Sequence, residues 1–304
     1  MGVNMQGKTA FITGAARGIG AETAKRLAHR GANLALIGLE PDELHAVAAE
    51  CGPNAIAIEC DVTDVGALEK AVATTVERFG GIDVVVANAG IAPMGMIHSM
   101  DPAAFELTIE VNLLGVWRTV RATINEVMAS KGYFLLTSSS AAALHMPVMA
   151  AYSASKAGVE AFADALRYEM VPHGVDVGCA YYNWIATDMV KSADDTTLGG
   201  YLRKKMPWPL GKTYPVGKAT DATVAGIVDR KRYVMAPGWL HVALPLRWWV
   251  GRIPKVAMLP LVKQANLLAE QENARLGVEA ASRPIGFGGA AAMASKVSRA
   301  RSKK

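Results

Sequence analysis

Short apolar runs recur along the chain, with room for one helix between most neighbouring pairs. KTAFIT (8–13), NLALIG (33–38), AIAIEC (55–60), IDVVVA (82–87), GYFLLTS (132–138), VDVGCAY (175–181) and RYVMAP (232–237) are almost unbroken in apolar residues. A strand with one wet face alternates apolar and polar positions. An unbroken run marks a strand covered on both faces, the habit of parallel sheets. Segments near 18–29, 41–51, 65–79, 102–128, 152–171 and 220–231 carry helical periodicity and predict the intervening helices. Right-handed crossovers then give an α/β fold, a single doubly wound, Rossmann-like parallel sheet with helices on both faces. The reading places this domain at 1–240, an apolar C-terminal extension at 241–282, and a basic tail at 283–304 with too little to bury, expected to be disordered.

Composition changes this picture little. Of 304 residues, 51% are hydrophobic and 19% charged, enough for a large core. The net charge of +5 belongs to the end of the chain, at Lys296, Arg299, Arg301, Lys303 and Lys304. Without those five the body carries 27 basic and 27 acidic residues, a balance that argues against a nucleic-acid partner. Cys51, Cys60 and Cys179 sit in apolar stretches without metal-ligand spacing and read as reduced core thiols. No signal peptide or myristoylation motif opens the sequence, so the expectation is a cytoplasmic protein.

Two short stretches carry chemistry. TGAARGIG (13–20) leaves the first strand and opens the first helix. Gly14, Gly18 and Gly20 let backbone approach a pyrophosphate at the helix N-terminus, on the carboxyl side of the sheet where winding reverses. AAYSASKAG (150–158) sets Tyr152 and Lys156 four apart, one turn along a single helix face.

These motifs, in order and at this spacing, resemble the short-chain dehydrogenase/reductase family over about residues 5–240. TGAARGIG matches the family's TGxxxGxG turn. Asp61 and Val62 match the pair that meets the adenine, and Asn88, Ala89 and Gly90 match the motif after the fourth strand. Asn112, Ser139, Tyr152 and Lys156 match the active-site tetrad, Ser139 lying 13 residues before Tyr152. The resemblance implies hydride transfer between NAD(H) or NADP(H) and an alcohol or carbonyl carbon, with Tyr152 as acid or base. Ser139 would hold the substrate oxygen, Asn112 would seat a water, and Lys156 would bond the nicotinamide ribose. A free phenol titrates near 10, so a phenolate at neutrality needs ~4 kcal/mol of help, which the Lys156 ammonium would supply in part. Implied cofactor contacts are Gly14, Arg17, Gly18, Ile19, Gly20, Leu39, Glu40, Asp61, Val62, Asn88, Ala89, Gly90, Tyr152, Lys156, Ile185 and Thr187. A homodimer or homotetramer without a metal is expected.

The chain departs from the family after the sixth strand, where Tyr182 and Asn183 replace the usual Pro-Gly. Asn tolerates left-handed backbone, which would keep the turn. Retention of the full tetrad favours an enzyme over the alternative, a nucleotide sensor on the same fold. Glu40, 20 residues after Gly20, suits a free ribose hydroxyl and would repel a 2′-phosphate, so the reading leans to NAD, with Arg17 as the residue able to attract a phosphate. Trp184, MPWPL (206–210) and possible neighbour His145 point to an apolar alcohol or ketone such as a lipid, steroid or cyclic alcohol. WLHVALPLRWWVGRIPKVAMLPLVK (239–263) is broken by Pro245, Pro254 and Pro260 and by basic residues, so it is no membrane span. It reads as a substrate lid, a subunit contact, or a peripheral membrane segment with Trp248 and Trp249 at a headgroup boundary.

Overall fold

The computed structural model describes residues 2–247 and 255–302. Seven parallel strands form one sheet in the order β3-β2-β1-β4-β5-β6-β7: β1 Thr9–Thr13, β2 Asn33–Gly38, β3 Ala55–Glu59, β4 Val84–Ala87, β5 Tyr133–Thr137, β6 Asp176–Tyr182 and β7 Tyr233–Ala236. The unbroken apolar runs are explained by what covers them. Phe11, Ala35, Val85 and Leu136 meet α3 (Val65–Phe79), α5 (Gly115–Ala129) and α6 (Ala150–Met170). Ile12, Leu34, Val86 and Leu135 meet α1 (Gly18–Ala28), α2 (Pro41–Cys51) and α9 (Val216–Val228) on the other face. The order reverses between β1 and β4, which opens a crevice at their carboxyl ends.

Local chemistry sets the helix ends. Asp64 caps α3 by accepting from Ala67 N at 3.0 Å, and Gly80 ends it in the left-handed region. Asp101 and Pro102 start α4 (Pro102–Ile109). The helix expected over 102–128 is interrupted: Glu110–Leu114 is one π-helical turn between α4 and α5.

Beyond this frame, α7 (Asp188–Asp195) and α8 (Thr197–Lys205) pack with the C-terminal segment. After α10 (Leu240–Ala243), α11 (Lys255–Leu276) sets Ala265 and Ala269 against Leu198, Leu202, Met94 and Met149. Trp248, Trp249, Arg252, Lys303 and Lys304 lie outside the described residues, and no helix among those described is long and apolar enough to cross a membrane.

The disorder expected at 283–304 is corrected over most of its length. After α12 (Val278–Ala281), Gly286–Ser302 forms α13, which lies against α7 and buries Ile285 and Ala292 at the crevice. Its Gly and Ala content leaves little area to bury alone, so its order comes from tertiary packing.

Candidate active site

A cavity of about 850 Å³ runs along the carboxyl ends of the strands and gathers nearly all of the expected residues. At one end the glycine turn is locked by its surroundings. Gly14 and Gly18 have φ of +64° and +59°. A Cβ on Gly14 would stand 2.9 Å from Ala89 Cα, and one on Gly20 would stand 2.2 Å from Gly14 O. Gly20 therefore packs behind the turn while Gly14 and Gly18 line the cavity. Asn88 ties the turn to β4, its Nδ2 donating to Thr13 O at 3.3 Å and to Gly14 O at 3.2 Å. No side chain caps α1 at Arg17, so its N-terminal amides face the crevice. A backbone cradle too tight for any Cβ, backed by a helix N-terminus, fits the pyrophosphate of a dinucleotide.

Farther along this arm, Glu40 points inward. Arg17 Nε donates to both Glu40 carboxylate oxygens at 3.0 and 3.1 Å, while its Nη atoms reach Asp188 at 3.1 Å and Glu43 at 3.2 Å. Those carboxylates, Glu40 foremost, hold the Arg17 pKa above its ordinary value. Ile19, Leu39, Val62, Ala89, Gly90, Ile185 and Thr187 also line the cavity. Asp61 accepts from Thr63 N at 2.8 Å and from the Ser295 hydroxyl of α13.

At the middle of the cavity α6 presents Tyr152 and Lys156. Three serines run together at 138–140, and their hydroxyls have different partners. Ser138 Oγ donates to Lys156 O at 2.8 Å and Ser140 Oγ to Asn183 Oδ1 at 3.0 Å. Ser139 Oγ instead donates to Tyr182 O at 3.3 Å, accepts from Ala141 N at 3.1 Å and is the serine close enough to the Tyr152 phenol to lower its pKa. Lys156 is 3% exposed, and its Nζ donates to Thr137 O at 2.8 Å. Burial pushes the Lys156 pKa down to about 8 and the Tyr152 phenol up, the Ser139 hydrogen bond pulling the phenol back. The expected help from the ammonium is therefore opposed by desolvation of both groups.

Asn112 is not at the cavity surface. The π turn carries it behind Gly90, where it accepts from Ile91 N and donates to Ile91 O, both at 2.8 Å, and to Ser155 Oγ at 3.1 Å. It braces the loop that follows β4 against α6.

The arm beyond Tyr152 is apolar: Met94, Met146, Met149, Trp184, Leu210 and Met258 form much of it, and His145 borders it. The Arg203 guanidinium stacks 4.1 Å from the Trp184 ring. Asn183 does not use left-handed backbone. It keeps the loop by a different device: its backbone N donates to Ala236 O at 3.1 Å, and its side chain links Ser140 to Leu210 O, at 3.0 and 3.1 Å.

Sequence reasoning missed the wall supplied by α13, including Phe287, Gly288, Gly289 and Ala292. The only signal was Ile285 and Ala292 at a seven-residue interval within a Gly/Ala-rich stretch that otherwise reads as low in complexity.

The profile described as short chain dehydrogenase matches residues 8–198. A protein of Mycobacterium tuberculosis named as an uncharacterised NAD-dependent oxidoreductase is 32% identical over 250 residues, covering 75% of this chain and 90% of that one. The (−)-trans-carveol dehydrogenase of Rhodococcus erythropolis is 33% identical over 206 residues, covering 62% of this chain and 74% of its own length. A solved short chain dehydrogenase/reductase of Burkholderia phymatum, in complex with NAD, shares the fold at TM-score 0.71 and 21% identity, covering 81% of this chain and 94% of that one. Because the family match takes in most of the sheet, and a relative at 32% identity spans three-quarters of the chain, this protein belongs to the short-chain dehydrogenase/reductase family, oxidoreductases of CH–OH and C=O groups.

Proposed function

We propose that the protein transfers a hydride between NAD(H) and an apolar secondary alcohol or ketone. The observation that carries this reading is the position of Ser139, Tyr152 and Lys156, at the junction of a glycine-cradled arm and a methionine-rich arm of one cavity. The nicotinamide ring, when bound, supplies or accepts the hydride. Gly14, Gly18 and the amides of α1 would hold the pyrophosphate, Asp61 and Val62 the adenine, and Ile185 and Thr187 the carboxamide.

Tyr152 moves the proton. In the reducing direction its phenol, kept protonated by burial, donates to the carbonyl oxygen. In the oxidising direction the phenolate accepts the alcohol proton, favoured by a charged Lys156, whose ammonium is held by Thr137 O and would also be available to the nicotinamide ribose. Ser139 donates to the same substrate oxygen and fixes its place. Asn112, held to Ile91 and Ser155, positions the loop rather than touching the reacting atoms.

Glu40 supports NAD over NADP, since its carboxylate and those of Glu43 and Asp188 would repel a 2′-phosphate and already occupy Arg17. The name of the carveol dehydrogenase relative, which acts on a cyclic terpenoid alcohol, supports the apolar substrate class. Methionines suit such substrates because they repack around irregular shapes.

Single-turnover absorbance at the reduced nicotinamide band, across cyclic, terpenoid and long-chain alcohols and ketones set against polyols, tests the reading. Turnover confined to the apolar set is expected, and Tyr152→Phe should lose at least ~10²-fold in kcat with nucleotide binding retained. Turnover of polyols alone, or a Tyr152→Phe enzyme within about threefold of the parent, would overturn it.

A further inference from the structure

The C-terminal helix α13 does not simply rest on the domain. Its approach is pinned twice, by Ile285 N to Ala92 O at 3.0 Å and by Asp101 N to Ser282 Oγ at 2.9 Å, with Ser282 itself buried. From there it runs along the open side of the nucleotide arm. Two of its side chains meet residues already assigned to that arm from the opposite wall. The Phe287 ring lies 4.9 Å from the Arg17 guanidinium, and Ser295 hydrogen-bonds Asp61. Between them the helix turns Gly288 toward Glu40: a Cβ built there would have Glu40 Oε2, at 3.9 Å, as its nearest neighbour.

These contacts bear on the one group that distinguishes the two nicotinamide dinucleotides. A 2′-phosphate is a dianion, and at the end of β2 it needs a guanidinium free to turn toward it. Arg17 is held in plane by Glu40, Glu43 and Asp188, and Phe287 covers its face. Turning Arg17 toward a phosphate would break its carboxylate bonds and its ring contact together. The backbone of α13 at Gly288 lies beside Glu40 without a side chain between them.

We propose that α13 is the outer wall of the adenosine subsite and that Phe287 is a specificity-determining residue, excluding NADP by keeping Arg17 on Glu40. This rests on the reading of the cavity as a dinucleotide site, and deepens it by assigning cofactor choice to a segment outside the nucleotide motifs.

Titration of the full-length protein with NADH and with NADPH, followed by energy transfer from tryptophan, tests both parts without turnover. Phe287→Ala should lower the NADH-over-NADPH affinity ratio by about threefold or more, and Phe287→Tyr, which keeps the ring, should restore it. Gly288→Leu should weaken both nucleotides about tenfold, because its side chain enters the cavity and meets little protein. Ala291→Leu, on the same wall, reads the same effect should Gly288→Leu lower the melting temperature. An unchanged ratio in Phe287→Ala overturns the role of Phe287, and unchanged binding in both leucine variants overturns the wall. A parent protein that prefers NADPH would defeat the NAD reading and the role of Phe287, leaving the leucine variants to judge the wall. A parent that binds neither nucleotide would defeat all of it.

Discussion

The two arms of the cavity are built by different means. The nucleotide arm is made of backbone: glycines where a Cβ cannot fit, a helix N-terminus, and an asparagine that ties one loop to the next. The substrate arm is made of side chains from the loops after β4, before α6 and after β6, the loop at 206–210 and α11, segments far apart in the chain. A backbone site tolerates almost no variation, because each position answers to sterics. A site of methionines and tryptophan tolerates much, because its shape is a sum of adjustable volumes. The first binds a ligand of fixed form, and the second can follow a changing one.

Where the arms join, the cost of function is largest. Burial lowers the Lys156 pKa from 10.5 to about 8, so below pH 8 the fold bears the full penalty of a desolvated ammonium. The unfolded chain binds that proton more readily, so this group makes the cofactor-free protein more stable as pH rises from 8 to 10.5. Lys156→Met should abolish that rise and stabilise the empty protein at pH 7 by about 2 kcal/mol, after allowing for the unpaired Thr137 carbonyl. Urea denaturation at pH 7 and pH 9.5 measures both. A variant less stable than the parent at pH 7 would mean that Lys156 is structural, and the contrast between the arms would lose its hinge.

On the proposed reading, the choice between the two dinucleotides rests on charge at Glu40 and Arg17. Glu40→Arg should shift the NADP-to-NAD preference about tenfold or more toward NADP, ~1.4 kcal/mol, as read by the ratio of affinities. It removes the carboxylate that occupies Arg17 and adds a second guanidinium beside it. An unchanged ratio would break the claim that this arm selects by charge.

The smallest effect belongs to the substrate arm. Met146→Leu conserves volume, and KM for a cyclic alcohol should move by no more than about twofold. A larger loss would show that the arm is as rigidly specified as the glycine turn.

The same contrast explains what could be read from the chain. The strands and the glycine turn were legible because each is a local pattern with a local cause. Burial on both faces makes an unbroken apolar run, and a tight backbone approach demands glycine. Ser139 was singled out only by its interval to Tyr152; what the sequence did not show is that Ser138 and Ser140 are tied to Lys156 O and the Asn183 side chain while Ser139 bonds Tyr182 O. The π turn at Glu110–Leu114 left no trace, since the apolar period runs on through it. Asn183 suggested a left-handed turn and instead serves as a cross-brace, a role set by Leu210, 27 residues away. The α13 helix was the largest omission, because small residues look idle until the surface they lie against is known.

That cross-brace has a mechanical consequence. Asn183 joins Ser140, next to the serine that holds the reacting oxygen, to Leu210 in the wall of the substrate arm. A substrate too bulky for the 206–210 wall would therefore pull, through one amide, on the loop that carries Ser139. On the proposed reading, excess substrate bulk is expected to lower kcat more than it raises KM across a graded series of cyclic alcohols, and Asn183→Ala, which cuts the link, should remove that difference.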